Sequence, residues 1–151
     1  MSKRVLVTGA TGFIGRQLSR RLVDAGHQVR CLVRDASRPR AQALARHGME
    51  LHQGDVMDPR TLEGVGREID AAYYLIHSMG RGGPRGFAAR EHQSAEAFAE
   101  MASREGVRRV LYLGVLGARP EPEHLRLRRE TPPPPPRHAP PPTALPPAPV
   151  P

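Results

Sequence analysis

Apolar and polar positions follow two rhythms along residues 1–113, and each change of rhythm marks an element boundary. Residues 3–8 (KRVLVT) are a nearly continuous apolar run closed by Gly9, the pattern of a strand buried on both faces. From Gly12 to Ala25 the apolar residues Phe13, Ile14, Leu18, Leu22 and Val23 recur at helical spacing, and Gly26 supplies the stop. Residues 27–33 (HQVRCLV) read as a second strand, 39–47 as a helix ended by Gly48, and 49–53 as a short third strand. Asp58-Pro59 predicts a further helix, with Asp as N-cap and Pro in the first turn. Residues 70–76 (DAAYYLI) form a fourth strand, 80–86 a glycine-rich loop, 87–104 the longest helix and 110–113 a fifth strand. Five strands alternating with four helices predict an α/β fold with a doubly wound parallel sheet. Right-handed crossovers then fix its strand order as 3-2-1-4-5.

Composition divides the chain in two. Of its 17 prolines, 12 lie in residues 131–151, so the preceding residues have an ordinary proline density. The net charge of +8 comes almost wholly from arginine, Lys3 being the only lysine. These arginines are interleaved with acids and accompanied by few aromatics, so nucleic-acid binding is not expected. No run approaches the roughly 18 apolar residues of a membrane span, and no membrane association is expected. The N-terminus enters a strand directly, without signal-peptide architecture, which implies a soluble, cytoplasmic protein. Cys31, the single cysteine, cannot form an intramolecular disulfide or a cysteine-based zinc site, and mid-strand it reads as an inert buried thiol.

The strongest chemical signal is Thr8-Gly9-Ala10-Thr11-Gly12-Phe13-Ile14-Gly15, set between the first strand and the first helix. Gly9 permits the tight turn off the strand. Gly12 lets backbone approach a pyrophosphate at the helix N-terminus, and Gly15 allows helix and sheet to pack closely. This context makes the sheet Rossmann-like and the turn a dinucleotide site.

The spacing G-x-x-G-x-x-G resembles the extended and atypical branches of the short-chain dehydrogenase/reductase superfamily. The segments Gly54-Asp55-Val56, 74–79 (YLIHSM) and 106–114 (GVRRVLYLG) resemble its NmrA-like, NAD(P)H-binding members. The resemblance covers residues 3 to about 130. It implies that Gly9, Thr11, Gly12 and Gly15, with the amides of Phe13 and Ile14, surround the pyrophosphate. It also implies that Asp55 accepts from the adenine amino group, that the Val56 backbone meets the ring edge, and that Ile76, His77 and Ser78 line the ribose and nicotinamide side.

Cofactor choice can be argued from charge. A free ribose 2′-hydroxyl favours a carboxylate at the end of the second strand, whereas a 2′-phosphate favours an arginine. Arg34 stands there, and a guanidinium suits phosphate bidentately, so NADP(H) is expected over NAD(H). Asp35 beside it is the competing signal, and a solvated loop arginine is the plainer reading. The Tyr-x-x-x-Lys pair usual in these reductases is absent, since Lys3 precedes every tyrosine. His77 is the remaining candidate for proton transfer, against a packing or orienting role. Two readings follow: an oxidoreductase of unknown substrate, or a cofactor-sensing protein without turnover. A non-functional fragment is a third.

The pattern stops near residue 130. The sequence therefore predicts a dinucleotide-binding domain over 1–117, a remnant of the next family segment over 118–130, and a disordered proline-rich tail over 131–151. Pro, Ala and Thr, whose codons share a second-position C, dominate that tail, as a shifted reading frame in a GC-rich gene would produce. On this expectation the chain is a truncated family member, and the fifth strand is an exposed edge available for self-association. Sequencing the locus is the direct check on the frame.

Overall fold

The computed structural model describes residues 1–76, 83–113 and 142–145. Strands β1 (Arg4–Thr8), β2 (Gln28–Val33), β3 (Glu50–Gln53), β4 (Ala71–Tyr74) and β5 (Arg109–Leu113) run parallel in the order β3-β2-β1-β4-β5. Val7 pairs with Cys31 on one side and Tyr73 on the other, which places β1 at the centre. The architecture and order are those read from the apolar pattern.

Two apolar layers sandwich the sheet. Helices α1 (Phe13–Asp24) and α2 (Pro39–Arg46) cover one face, where Val5, Val7, Val29, Cys31, Val33 and Leu44 are buried. Helix α3 (Gly83–Arg104) covers the other, with Phe98 and Met101 packed on Leu6, Ala72, Tyr74 and Val110. Each such fully buried side chain contributes roughly 1.5–3 kcal/mol of transfer free energy. Tyr74 stacks obliquely between Phe98 and Tyr112, with ring centroids 5.0 and 5.4 Å away. Cys31 is sealed in the other layer, 3.8 Å from Ser19 Oγ, and burial pushes its thiol from 9.0 up to about 11. Burial likewise raises Tyr112 from 10.0 to about 12. Both groups ionise earlier in the unfolded chain, so folding stability is expected to fall as pH rises from about 9 to 11. Cys31 alone accounts for about 2–3 kcal/mol of this loss. Chemical denaturation at pH 8 and pH 10.5 checks it; an unchanged midpoint would contradict the assignment.

Three expectations need correction. The helix predicted after Asp58-Pro59 is a single 3-10 turn, Pro59–Leu62, although Asp58 does accept from the Arg60 amide. Beyond Leu62 the backbone turns at Gly64 (φ +79°) and Glu68 (φ +59°), and long-range bonds hold it there. The Arg30 guanidinium donates to the carbonyls of Gly64, Val65 and Arg67, while Glu105 accepts from the amides of Gly64 and Gly66 at 2.7 and 2.6 Å. Helix α3 starts at Gly83, earlier than the apolar spacing indicates, with Pro84 near its first turn as helix starts favour.

The third correction concerns the tail. Pro142–Leu145 form a sixth strand, β6, parallel to β5, with Val110 opposite Pro142 and Leu113 opposite Leu145. Strand five is therefore not the sheet's edge, and the self-association expected through it loses its basis. Nor is the sheet confined to residues 1–117. Disorder does not hold for 142–145, and the rest of 131–151 lies outside the described residues. Thr143, Ala144 and Leu145 each retain an N–H, and Pro142 stands first in the strand, where a missing donor is best tolerated. Bulk composition hides this short competent stretch.

Candidate functional site

Chain reversal at the carboxyl end of β1 builds the site. Gly9 adopts φ +66°, and the Gly12 amide donates to the Gly9 carbonyl at 3.0 Å, closing the turn. A Cβ on Gly15 would stand 2.2 Å from that same carbonyl oxygen, so only glycine allows α1 to start this close to the strand. Gly12 is the N-cap of α1, with no side-chain cap and no acid in the first turn. The first-turn amides, including those of Phe13 and Ile14, thus lack the capping groups that usually satisfy a helix start, and their partial positive charge suits an anion.

Thr8 fixes the far wall of the turn. Its buried hydroxyl donates to the Tyr73 carbonyl at 3.2 Å and accepts from the Leu75 amide at 3.1 Å, tying the ends of β1 and β4. Thr8→Val keeps the shape but removes both bonds. The expected cost is about 1–3 kcal/mol, read as a lower denaturation midpoint with an unchanged m-value.

Between these walls lies a cleft of about 620 Å³, within the range of cofactor sites. It gathers Gly9, Thr11, Gly12, Arg34, Asp55, Val56 and Ile76 from four separate parts of the chain. Phe13, Ile14 and Gly15 adjoin it as the first turn of α1: Phe13 is exposed, Ile14 packs on the core, and Gly15 lies against the turn. His77 and Ser78 lie outside the described residues. Asp55 is held by neighbours, its Oδ1 accepting from the Met57 amide at 2.9 Å and its own amide donating to Thr61 Oγ1 at 2.8 Å. The adjacent Gly54 admits the 3-10 turn, since a Cβ there would stand 2.6 Å from the Thr61 carbonyl.

At the end of β2, Arg34 lines the cleft and makes no ion pair among the described residues. Asp35 turns its carboxylate to its own loop instead. It accepts from the Ser37 amide at 2.9 Å, the Ser37 hydroxyl at 2.6 Å and Arg38 Nε at 3.2 Å. These bonds, the Ser37 hydroxyl first, hold its carboxyl below the usual value.

Two lining residues have no linear signal. Arg90 and Ser94 stand one helical turn apart on α3 and face the cleft together. Ser94 also bonds the Tyr74 hydroxyl at 3.0 Å. The donor set fits a dinucleotide: a glycine turn open to backbone approach, uncapped helix amides, a carboxylate in the loop after β3 and two arginines. Among the described residues no group of three or more His, Cys, Asp or Glu could hold a metal ion, and no helix is long and apolar enough to cross a membrane.

Comparison with known proteins bears on this geometry. The model of the NmrA-like family matches residues 1–124, most of the chain. The chain belongs to the NmrA-like family. Photosystem II assembly factor Ycf39 of Synechocystis sp. is 44% identical over 68 residues, covering 45% of this chain and 20% of that protein. A (4-alkanoyl-5-oxo-2,5-dihydrofuran-3-yl)methyl phosphate reductase of Streptomyces griseus is 32% identical over 127 residues, covering 83% of this chain and 40% of that protein. This NmrA-like chain thus spans less than half the length of these relatives. The crystal structure of a short-chain dehydrogenase/reductase superfamily protein from Agrobacterium tumefaciens with bound NAD superposes with a TM-score of 0.61 at 25% identity. That match covers 74% of this chain and 32% of the other. The NmrA-like match and the superposition agree on a Rossmann-type fold for this chain.

Proposed function

We propose that this chain binds NADP(H) in preference to NAD(H) and forms the cofactor half of an oxidoreductase. The observation that carries the preference is the pairing at the end of β2. Asp35, the group that would accept from a free ribose 2′-hydroxyl, is occupied by Ser37 and Arg38, whereas Arg34 remains available to a 2′-phosphate. In this reading the α1 amides and the open face of Gly12 hold the pyrophosphate, and Asp55 and Val56 hold the adenine. Ile76, with His77 and Ser78 beyond it, flanks the nicotinamide. The bound cofactor, once reduced, supplies hydride; the chain's own residues supply its position.

The reductase among its relatives supports catalysis, and the missing Tyr-x-x-x-Lys pair supports a second reading, cofactor sensing without turnover. Titration with NADPH and NADH, followed by NADPH oxidation against a panel of carbonyl and quinone compounds, separates the two. Preferential NADPH binding with turnover is the expected result. Binding without turnover selects the sensor, and tighter NADH binding overturns the cofactor assignment.

A further inference from the structure

We infer that Arg90 is a pyrophosphate ligand that closes the dinucleotide site from the α3 side, an inference that rests on the dinucleotide reading above. Arg90 lines the same cleft as Gly9 and Gly12. One of its guanidinium nitrogens, Nη2, is shielded from solvent and has no hydrogen-bond partner among the described residues. A shielded cationic donor without an acceptor is costly unless an anion completes it. No carboxylate of the cleft does so: among the described residues Asp55 is the only acid lining it, and its Oδ1 is engaged by the Met57 amide.

Position narrows the anion further. Arg34 and Asp55 stand at the β2 and β3 end of the cleft, Ile76 stands beyond β4, and the glycine turn lies between them on β1. A dinucleotide stretched from Arg34 to Ile76 passes its phosphates over Gly12. There α1 lies on one face of the sheet and α3 on the other. The α1 amides meet the phosphates from one side, and among the described residues Arg90 is the cation lining the cleft from the opposite side. A planar guanidinium can take two phosphate oxygens at once, whereas a lysine there would act as a point charge.

The test is calorimetric titration of the full chain, Arg90→Met and Arg90→Lys with four probes: NADPH, NADH, ADP-ribose and adenosine 2′-monophosphate. The last lacks a pyrophosphate. Arg90→Met is expected to weaken the first three alike, roughly 10- to 100-fold, as for loss of a charge-assisted bond. Adenosine 2′-monophosphate should stay within twofold, and Arg90→Lys should recover part of the loss. Unliganded Arg90→Met should melt no lower than the parent chain, because it removes a shielded donor, Nη2, that has no partner among the described residues. Equal affinity of Arg90→Met and parent for all probes overturns the inference, as does an equal loss for adenosine 2′-monophosphate. A lowered melting temperature without ligand would mark Arg90 as structural and also overturn it. Failure of the parent chain to bind any probe would instead bring down the dinucleotide reading itself.

Discussion

Gly15→Ala is expected to abolish measurable dinucleotide binding and to destabilise the fold by about 3 kcal/mol. The added Cβ would fall 2.2 Å from the Gly9 carbonyl oxygen and 2.8 Å from both Ala10 Cα and the Gly9 carbonyl carbon. All three are backbone atoms, so no side chain can rotate away. Relief requires moving α1 off β1, which also displaces the amides aimed at the cleft. Gly12→Ala is the informative contrast. Its Cβ would meet only the Gly9 carbonyl oxygen at 3.2 Å, and its backbone sits at an ordinary φ of −74°. It should therefore melt close to the parent chain while losing affinity, because the methyl group occupies the side a ligand approaches. Thermal unfolding and NADPH titration of the two variants test the argument together. A Gly15→Ala protein with parental melting temperature and affinity would show that the turn is not under the constraint described.

Arg34→Ala is expected to reduce NADPH affinity roughly 10- to 100-fold and to leave NADH affinity within twofold, the signature of a lost charge-assisted contact to the 2′-phosphate. The asymmetry matters more than the magnitude. Loss of a general electrostatic attraction would weaken both cofactors, since both carry the pyrophosphate. Asp35 provides the second arm. Its carboxylate is engaged by Ser37 and Arg38, so Ser37→Ala loosens it and should improve NADH binding relative to NADPH. Unchanged cofactor preference in Arg34→Ala would leave the arginine as a surface residue and remove the physical case for NADP(H).

Elements governed by local rules were legible in the sequence. Strand β1, the glycine turn and α1 follow from one apolar run, three glycines and a 3.6-residue period, all within about twenty residues. The cleft residues Arg34, Asp55, Val56 and Ile76 were legible because each stands at or just past the end of a predicted strand, where parallel sheets place ligands. What was not legible depends on contacts distant in sequence. Residues 63–69 follow the helix-start signal of Asp58-Pro59, yet Arg30 on β2 and Glu105 after α3 draw their backbone into another path. Arg90 and Ser94 sit in an ordinary amphipathic helix, and only the placement of α3 across the sheet turns them toward the cleft. The tail misled for a different reason: twelve prolines dominate any average, while pairing with β5 requires only four residues of suitable backbone.

That last pairing has a consequence for the order in which the sheet opens. Leu113 meets Leu145 across 32 residues, fewer than the 38 between Ala71 and Arg109 or the 66 between Val5 and Ala71, so loop length does not set β6 apart. What sets it apart is how little holds it: among the described residues its four positions pair with β5 alone, and Pro142 lacks an N–H. β6 is therefore expected to be among the first strands lost as the sheet opens. The crevice over Gly12 is complete at the level of β1 to β4, so the outermost strand can come and go without dismantling it.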